Sequence, residues 1–415
     1  MAHRLAAPAG IFAILLTAGS ASCFSAESQS ASALLDSIGM NTHLGAPETV
    51  PKGNGYANTE TMIRELDYIH VRHLRDSLHI GPNLPKLDAL HRSAGGKFDL
   101  VYDYYGKDGG SGTLAAALAN VQDHPELIEA FEGPNEPDWF GIHYNRTKGA
   151  RAVIAAQREL YAAVKNNPKL SAIPVYCPAL SYPARGGMAD GLGNLAPVCD
   201  ASASHDYVEN ITLGTFLPYE YLARWTQFPL AFAPGLPRVI TEGGWGTNPP
   251  DVQGVDEATQ AKYLLIYLLD AFSQGIQRSY VYQLSDDQPD PSYRNVEFHY
   301  GVFRSDGTPK PAAVMLSNLH GILGEGASPP GSLDWSLEGL PSATSHQLLL
   351  RRGDGTYVLA LWNEARLWDR HSHRSIPQQS IDATLTFQAP IGKVEILDPL
   401  NNAALARPCR GRPAG

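Results

Sequence analysis

Residues 128–139 read Ile128-Glu-Ala-Phe-Glu-Gly-Pro-Asn-Glu-Pro-Asp-Trp139. A short apolar-biased run passes into a cluster of Gly, Pro, Asn and acidic residues, the pattern of a buried strand emptying into a loop. Downstream, Val153, Ala156, Leu160 and Val164 recur at helical spacing, and Ile173-Pro-Val-Tyr-Cys177 begins a second short apolar run. Strand, loop, amphipathic helix and strand together make a right-handed βαβ unit. The same rhythm extends both ways, with candidate strands at 35–40, 70–75, 98–102, 128–132, 173–177, 201–205, 238–241 and 279–282. Two more helical stripes, Met62/Ile63/Leu66/Ile69 and Tyr263/Ile266/Tyr267/Ala271, lie between them. Eight such units predict an α/β fold, a (β/α)8 TIM barrel over residues 32–325.

The last barrel helix starts at Lys310-Pro-Ala-Ala and runs to about Leu323, before the linker Gly324-Glu-Gly-Ala-Ser-Pro-Pro-Gly331. Beyond it the pattern becomes β-rich at 346–351, 356–362 and 382–387, with Gly353-Asp-Gly355 as a hairpin turn. A small C-terminal β-sandwich is therefore expected over 332–405. The 415 residues are 43% hydrophobic, which rules out a disordered chain. With 32 Lys+Arg against 42 Asp+Glu the net charge is −10, so nucleic acid is not an expected partner.

At the start, one Arg (Arg4) precedes the apolar run Ile11-Phe-Ala-Ile-Leu-Leu16 and then small residues. That layout predicts a signal peptide over 1–26, cut after Ser22 or Ala26, and a secreted or periplasmic protein. The run is too short for a membrane-spanning helix, which needs about 20 apolar residues. Lipidation at Cys23 is disfavoured, because Ser20 stands where a lipobox places Leu. Cys177 and Cys199 are expected to remain unpaired. If Cys177 closes one strand and Cys199 opens the next, they sit at opposite ends of the barrel, beyond the Cα separation of about 4.4–6.8 Å that a bridge needs.

Catalytic groups of a barrel gather at the C-terminal ends of its strands. Strand four ends in Asn135-Glu136-Pro137, and strand seven, Arg238-Val-Ile-Thr-Glu242-Gly243-Gly244-Trp245, ends in a second acid. About three βα units separate them, so the two carboxyls face each other across the mouth. Such a pair suits glycosidic bond cleavage, in which one carboxyl protonates the leaving oxygen while an ionised one attacks the anomeric carbon or activates water. Asn135 can hydrogen-bond a sugar 2-hydroxyl, and Trp139 and Trp245 offer flat apolar faces to a sugar.

These two motifs, in this order and on these strands, resemble the signature of clan A glycoside hydrolases, which are retaining (β/α)8 enzymes. With its C-terminal β domain the chain resembles the family 39 xylosidase and iduronidase group and related bacterial polysaccharide hydrolases. The segment Tyr300-Gly-Val-Phe-Arg-Ser-Asp-Gly-Thr-Pro-Lys-Pro311 is also similar to the stretch before the last barrel helix in such proteins. The resemblance implies Glu136 as general acid/base and Glu242 as nucleophile. It implies Arg75 as the arginine holding the nucleophile ionised, and His205 and Tyr207, in His205-Asp-Tyr207, as the pair beside sugar and nucleophile. Strand eight departs from the pattern: Tyr282 and Gln283 stand where many members carry Trp.

Other readings stand beside these. Glu132 is a rival acid deeper in strand four, expected to be structural. Arg75, His205 and Tyr207 could be satisfied core residues, His43 either a sugar contact or a buried hydrogen-bonder, and Trp139 and Trp245 packing residues. A barrel that binds carbohydrate without cleaving it, or a transglycosylase, are the alternative functions. No His-Glu-x-x-His, Gly-x-Ser-x-Gly, Walker or Gly-x-Gly-x-x-Gly motif occurs, and a two-carboxylate mechanism requires neither metal nor cofactor.

Overall fold

The computed structural model describes residues 2–8, 12–18, 26–44, 55–79, 83–102, 108–181, 187–208, 217–251, 254–327, 330–388, 391–401 and 403–404. Cys23 lies outside them.

Eight parallel strands form the barrel: β1 (Ile38–Asn41), β2 (His73–Ser77), β3 (Lys97–Tyr102), β4 (Ile128–Pro134), β5 (Val175–Tyr176), β6 (Ser202–His205), β7 (Arg238–Gly243) and β8 (Arg278–Val281). Each pairs with its chain neighbour, β8 pairs with β1, and a parallel bridge from Tyr176 to Ala201 closes the circle between β5 and β6. The first strand starts later than expected because Ala31–Asp36 is helical. The predicted stripes lie on helices Thr59–Ile69, Ala150–Lys165 and Glu257–Ser273 and are buried against the barrel, with Ile63 partly so. Asn58 and Asp256 cap two of these helices, their side chains accepting from the first-turn backbone N–H groups. Strand alternation sorts β4: Phe131 joins the main core, while Glu132 turns to meet Thr241 and Arg75.

The β domain draws on both ends of the chain. One sheet has Tyr357–Asn363 between Ser345–Arg351 and Phe12–Ala18, with Ile391–Asp398 beyond; the other joins Ala2–Pro8, Ser380–Phe387 and Trp335–Glu338. The expected sandwich over 332–405 thus gains two strands from residues 2–18. The hairpin turn at 353–355 is closed by Arg352 N–H to Thr356 O, 2.8 Å. Tyr357–Asn363 is buried on both faces: Val358, Ala360 and Trp362 join the barrel core, while Tyr357, Leu359 and Leu361 join the sandwich's own. Among the described residues no helix is long and apolar enough to cross a membrane.

The cysteine expectation is corrected. Cys177 and Cys199 form a disulfide with Cα atoms 5.2 Å apart. β5 is only two residues long, so its ends are not separated, and Cys199 follows a 3-10 turn, Ala196–Val198, instead of opening β6.

Glu65, on helix Thr59–Ile69, is 2% exposed and accepts one hydrogen bond from Ser285 Oγ at 2.8 Å. Burial pushes its carboxyl up to about 8. The folded chain therefore holds this proton between roughly pH 4.5 and 8 while the unfolded chain has lost it, so stability falls as pH rises through that window. Glu65→Gln fixes the neutral form. Its melting temperature is expected to overtake that of the wild type progressively from pH 5 to 8, by an amount equivalent to about 3–5 kcal/mol at the top of the window. Parallel melting profiles would contradict this.

Candidate active site

Glu242 is the second-last residue of β7 and Glu136 lies two residues beyond β4. Arg75, on β2, joins the strands beneath them. Its Nη1 donates to Glu242 Oε1 (2.7 Å) and to Asn41 Oδ1 (2.9 Å). Nη2 donates to Asn135 Oδ1 (2.7 Å), and Nε donates to Glu132 Oε2 (2.5 Å). One buried guanidinium thus bonds groups on β1, β4, the loop after β4, and β7. Tyr207 OH donates to Glu242 Oε2 at 2.8 Å, and His205 Nδ1 lies 2.7 Å from Glu136 Oε1 and 3.5 Å from Glu242 Oε2. One oxygen of each glutamate and this ring nitrogen fall within 4.8 Å of one another.

Backbone hydrogen bonds fix these positions. Glu136 N–H donates to Ala179 O (2.9 Å), and Asp206 N–H to Glu242 O (2.7 Å). Glu136 adopts a left-handed conformation, φ 40°, unusual for a residue other than glycine, while its carbonyl accepts from Trp139 and Phe140 N–H, both 3.0 Å. Strain of this kind, of order 1–3 kcal/mol, concentrates at functional sites. After β7 a glycine is required: a Cβ on Gly244 would lie 2.3 Å from the Tyr282 carbonyl oxygen.

Electrostatics keeps Glu242 ionised. Burial alone would raise the Glu242 carboxyl, but the charges of His205 and Arg75 and the hydrogen bonds from Tyr207 and Arg75 outweigh it and hold it below the usual range. Burial alone would lower His205; the charge of Glu242 and the hydrogen bond and charge of Glu136 raise it overall. The ring stays protonated to higher pH than an ordinary histidine.

Of the residues singled out from sequence, Glu136, Glu242, Asn135, Arg75, His205 and Tyr207 converge. His43 stands at the rim, Nδ1 3.1 Å from Asp287 Oδ1, between the rings of Tyr56 and Tyr282. Tyr282 also packs edge-on to Tyr207 and Tyr300. Trp139 is 74% exposed, open to a ligand beside Glu136. Two residues are corrected. Trp245 is buried, stacked on Tyr263 at 5.1 Å, and takes the packing role. Gln283 is fully buried and accepts from Tyr56 OH at 2.7 Å, so it supports the wall from behind. Glu132 is buried in its ion pair with Arg75, the structural role expected of it. Asn41, Asp287 and Tyr300 were missed as site residues. Only Tyr300 carried a signal, as the first residue of the segment before the last helix.

No family model matches the sequence, and neither does any curated protein. Solved structures do match. A family 39 glycoside hydrolase from the gut symbiont Bacteroides cellulosilyticus superposes with TM-score 0.53 at 17% identity, covering 85% of this chain and 81% of that one. A GH2 β-galacturonidase from Eisenbergiella tayi gives TM-score 0.50 at 15% identity, covering 70% of this chain and 51% of that one. A family 17 β-1,3-glucanosyltransferase from Rhizomucor miehei gives 0.49 at 16%, covering 68% and 97%. The fold is that of the clan A glycoside hydrolases, and the family 39 likeness reaches past the barrel into the β domain.

Proposed function

We propose that the chain is an exported retaining glycoside hydrolase acting on a poly- or oligosaccharide. The observation that carries this reading is the pair of carboxylates with oxygens within 4.8 Å. Retaining glycosidases hold theirs about 5–5.5 Å apart, and inverting ones about 6.5–9.5 Å apart to admit a water. Glu242, kept ionised by Arg75, His205 and Tyr207, attacks the anomeric carbon. The bond to the leaving oxygen breaks, its electron pair stays with that oxygen, and Glu136 supplies the proton. Water then attacks the glycosyl ester, returning a proton to Glu136 and freeing the Glu242 carboxylate. Asn135 and Tyr207 bind the sugar, and Trp139 stacks on the leaving portion.

The test is a panel of glycans and aryl glycosides, with the anomer first released followed by proton NMR. The expected product keeps the substrate's configuration. An inverted product, or no cleavage of any panel member, would contradict the proposal.

The pH profile follows from the two shifts. Glu242 must be ionised, and its lowered value puts the acid limb of kcat/KM below pH 4.5. His205, hydrogen-bonded to Glu136, must be protonated, and its raised value keeps it so until pH exceeds 6.5, which places the basic limb above that point. A basic limb centred below pH 6 would contradict the assignment of His205.

Export is supported by the leader-like residues 1–26 and by the Cys177–Cys199 disulfide, a bond that persists in oxidising compartments. Cleavage after Ser22 or Ala26 would remove strands Ala2–Pro8 and Phe12–Ala18 from the two sheets. The protein recovered from the medium or periplasm is expected to have the mass of a chain starting at residue 23 or 27. A full-length mass there would mean that the segment stays in the sandwich.

A further inference from the structure

Asp270, His346 and Glu364 lie where helix Glu257–Ser273 meets the β domain, and the chemistry above uses none of them. One oxygen of each carboxylate and one imidazole nitrogen fall within 4.8 Å of one another, with His346 Nε2 3.8 Å from Glu364 Oε1. Asp270 is 0% exposed and Glu364 4%. Asp270 Oδ2 is buried and takes no hydrogen bond from an N–H or hydroxyl donor, while the Asp270 and Glu364 carboxyls lie within hydrogen-bond reach of each other. Among the described residues neither carboxylate forms an ion pair with Lys or Arg, so two buried acids face each other without a fixed positive charge. In the glutamate pair of the active site, Arg75 supplies that charge.

The surroundings orient the three groups as the outer contacts of a metal site do. Trp362 Nε1–H donates to Asp270 Oδ1 at 2.8 Å, and Tyr219 N–H donates to Glu364 Oε1 at 2.8 Å. The His346 ring stacks on Tyr219 at 4.2 Å, with its side chain 21% exposed, which leaves an entry path from solvent.

We propose that Asp270, His346 and Glu364 form a divalent-metal site that joins the β domain to the barrel. One imidazole and two carboxylates suit a Zn²⁺-like transition ion better than calcium, which takes six to eight oxygens. Metal–ligand bonds of about 2.0–2.2 Å place ligand atoms roughly 3.3 Å apart, so the present spacings need small side-chain adjustments. A water would complete the tetrahedron. The competing occupant is a proton held between the two facing carboxyls. Metal must displace that proton, so its binding strengthens as pH rises. The inference rests on the fold and is independent of the glycosidase reading.

The test is a titration of the full chain with Zn²⁺ after EDTA treatment and dialysis, read by calorimetry and by melting temperature at pH 6 and pH 8. Co²⁺ is added in parallel, its visible absorption reporting coordination and its quenching of tryptophan reporting the nearness of Trp362. One Zn²⁺ per chain is expected, with a higher melting temperature and tighter binding at pH 8. Both His346→Gln and Asp270→Asn should weaken binding by at least about tenfold. His346 is partly exposed on a strand, so His346→Gln serves if Asp270→Asn does not fold. Glu242→Gln, which alters the other cluster of this kind, should bind Zn²⁺ as the wild type does. Zn²⁺ binding unchanged in His346→Gln, or lost in Glu242→Gln, would place the ion elsewhere and overturn the proposal. So would a melting temperature that responds to pH and not to Zn²⁺, which would assign the site to a shared proton.

Discussion

Glu242→Gln is expected to lower kcat by about 10⁴-fold or more on any substrate that the wild type cleaves, at nearly unchanged stability. The amide has the shape of the carboxylate. Its oxygen can still accept from Arg75 Nη1, and its NH₂ can donate to Tyr207 OH, so the contacts at 2.7 and 2.8 Å survive in altered form. What it lacks is the negative charge that Arg75, His205 and Tyr207 are arranged to hold, and with it the electron pair that bonds to the anomeric carbon. Binding should change far less than turnover, because Tyr207, Tyr282 and Asn135 are untouched. A variant with wild-type turnover would remove Glu242 from the mechanism.

Arg75→Met has the second-largest expected effect, and on stability first. The guanidinium is 4% exposed and bonds Glu132, Glu242, Asn41 and Asn135. Without it, Glu132 and Glu242 remain as buried acids with no fixed cation between them, and Asp99, 0% exposed, lies close enough to interact with Glu132. Removing one partner of a buried ion pair costs about 3–5 kcal/mol, because the other charge is left uncompensated. The relief available is protonation. The melting temperature of Arg75→Met should therefore recover in part as pH falls towards 5, where the wild type shows no such gain from this cluster. The Glu242 carboxyl should rise at the same time, moving the acid limb of any residual activity upward. A variant as stable as the wild type at pH 7 would mean that Glu132 and Glu242 need no compensating cation there.

The barrel was legible because its strands are short runs ended by Gly, Pro, Asn or acidic residues, and helices such as Thr59–Ile69 and Ala150–Lys165 show an apolar stripe on one face. All eight strands fall within a few residues of their expected places. The site was legible where a motif coincided with a strand end: Asn135-Glu136, Thr241-Glu242, Arg75 and His205-Asp-Tyr207. Residue type alone could not separate Trp139, exposed beside Glu136, from Trp245, stacked under the loop, since both follow an acid at a strand end. The Cys177–Cys199 disulfide leaves no sequence pattern, because strands of ordinary length would hold the two cysteines at opposite ends, whereas β5 has two residues. Asp287 meets His43 across 244 positions, and Asp270 meets Trp362 across 92. Neither contact leaves a local pattern for sequence reasoning to find. The strands drawn from residues 2–18 overlap an apolar run that also reads as a leader, so one composition supports two fates.

The central claim is that Glu242 becomes covalently bonded to sugar. It is tested most directly by incubating the chain with a set of activated 2-deoxy-2-fluoro glycosides, which slow release of the ester, and locating the adduct by peptide mass spectrometry. One sugar per chain is expected, on the peptide containing Glu242, with no adduct in Glu242→Gln. An adduct on Glu136 or another residue, or hydrolysis of the parent glycosides without any adduct from their fluoro analogues and with inverted product, would contradict it.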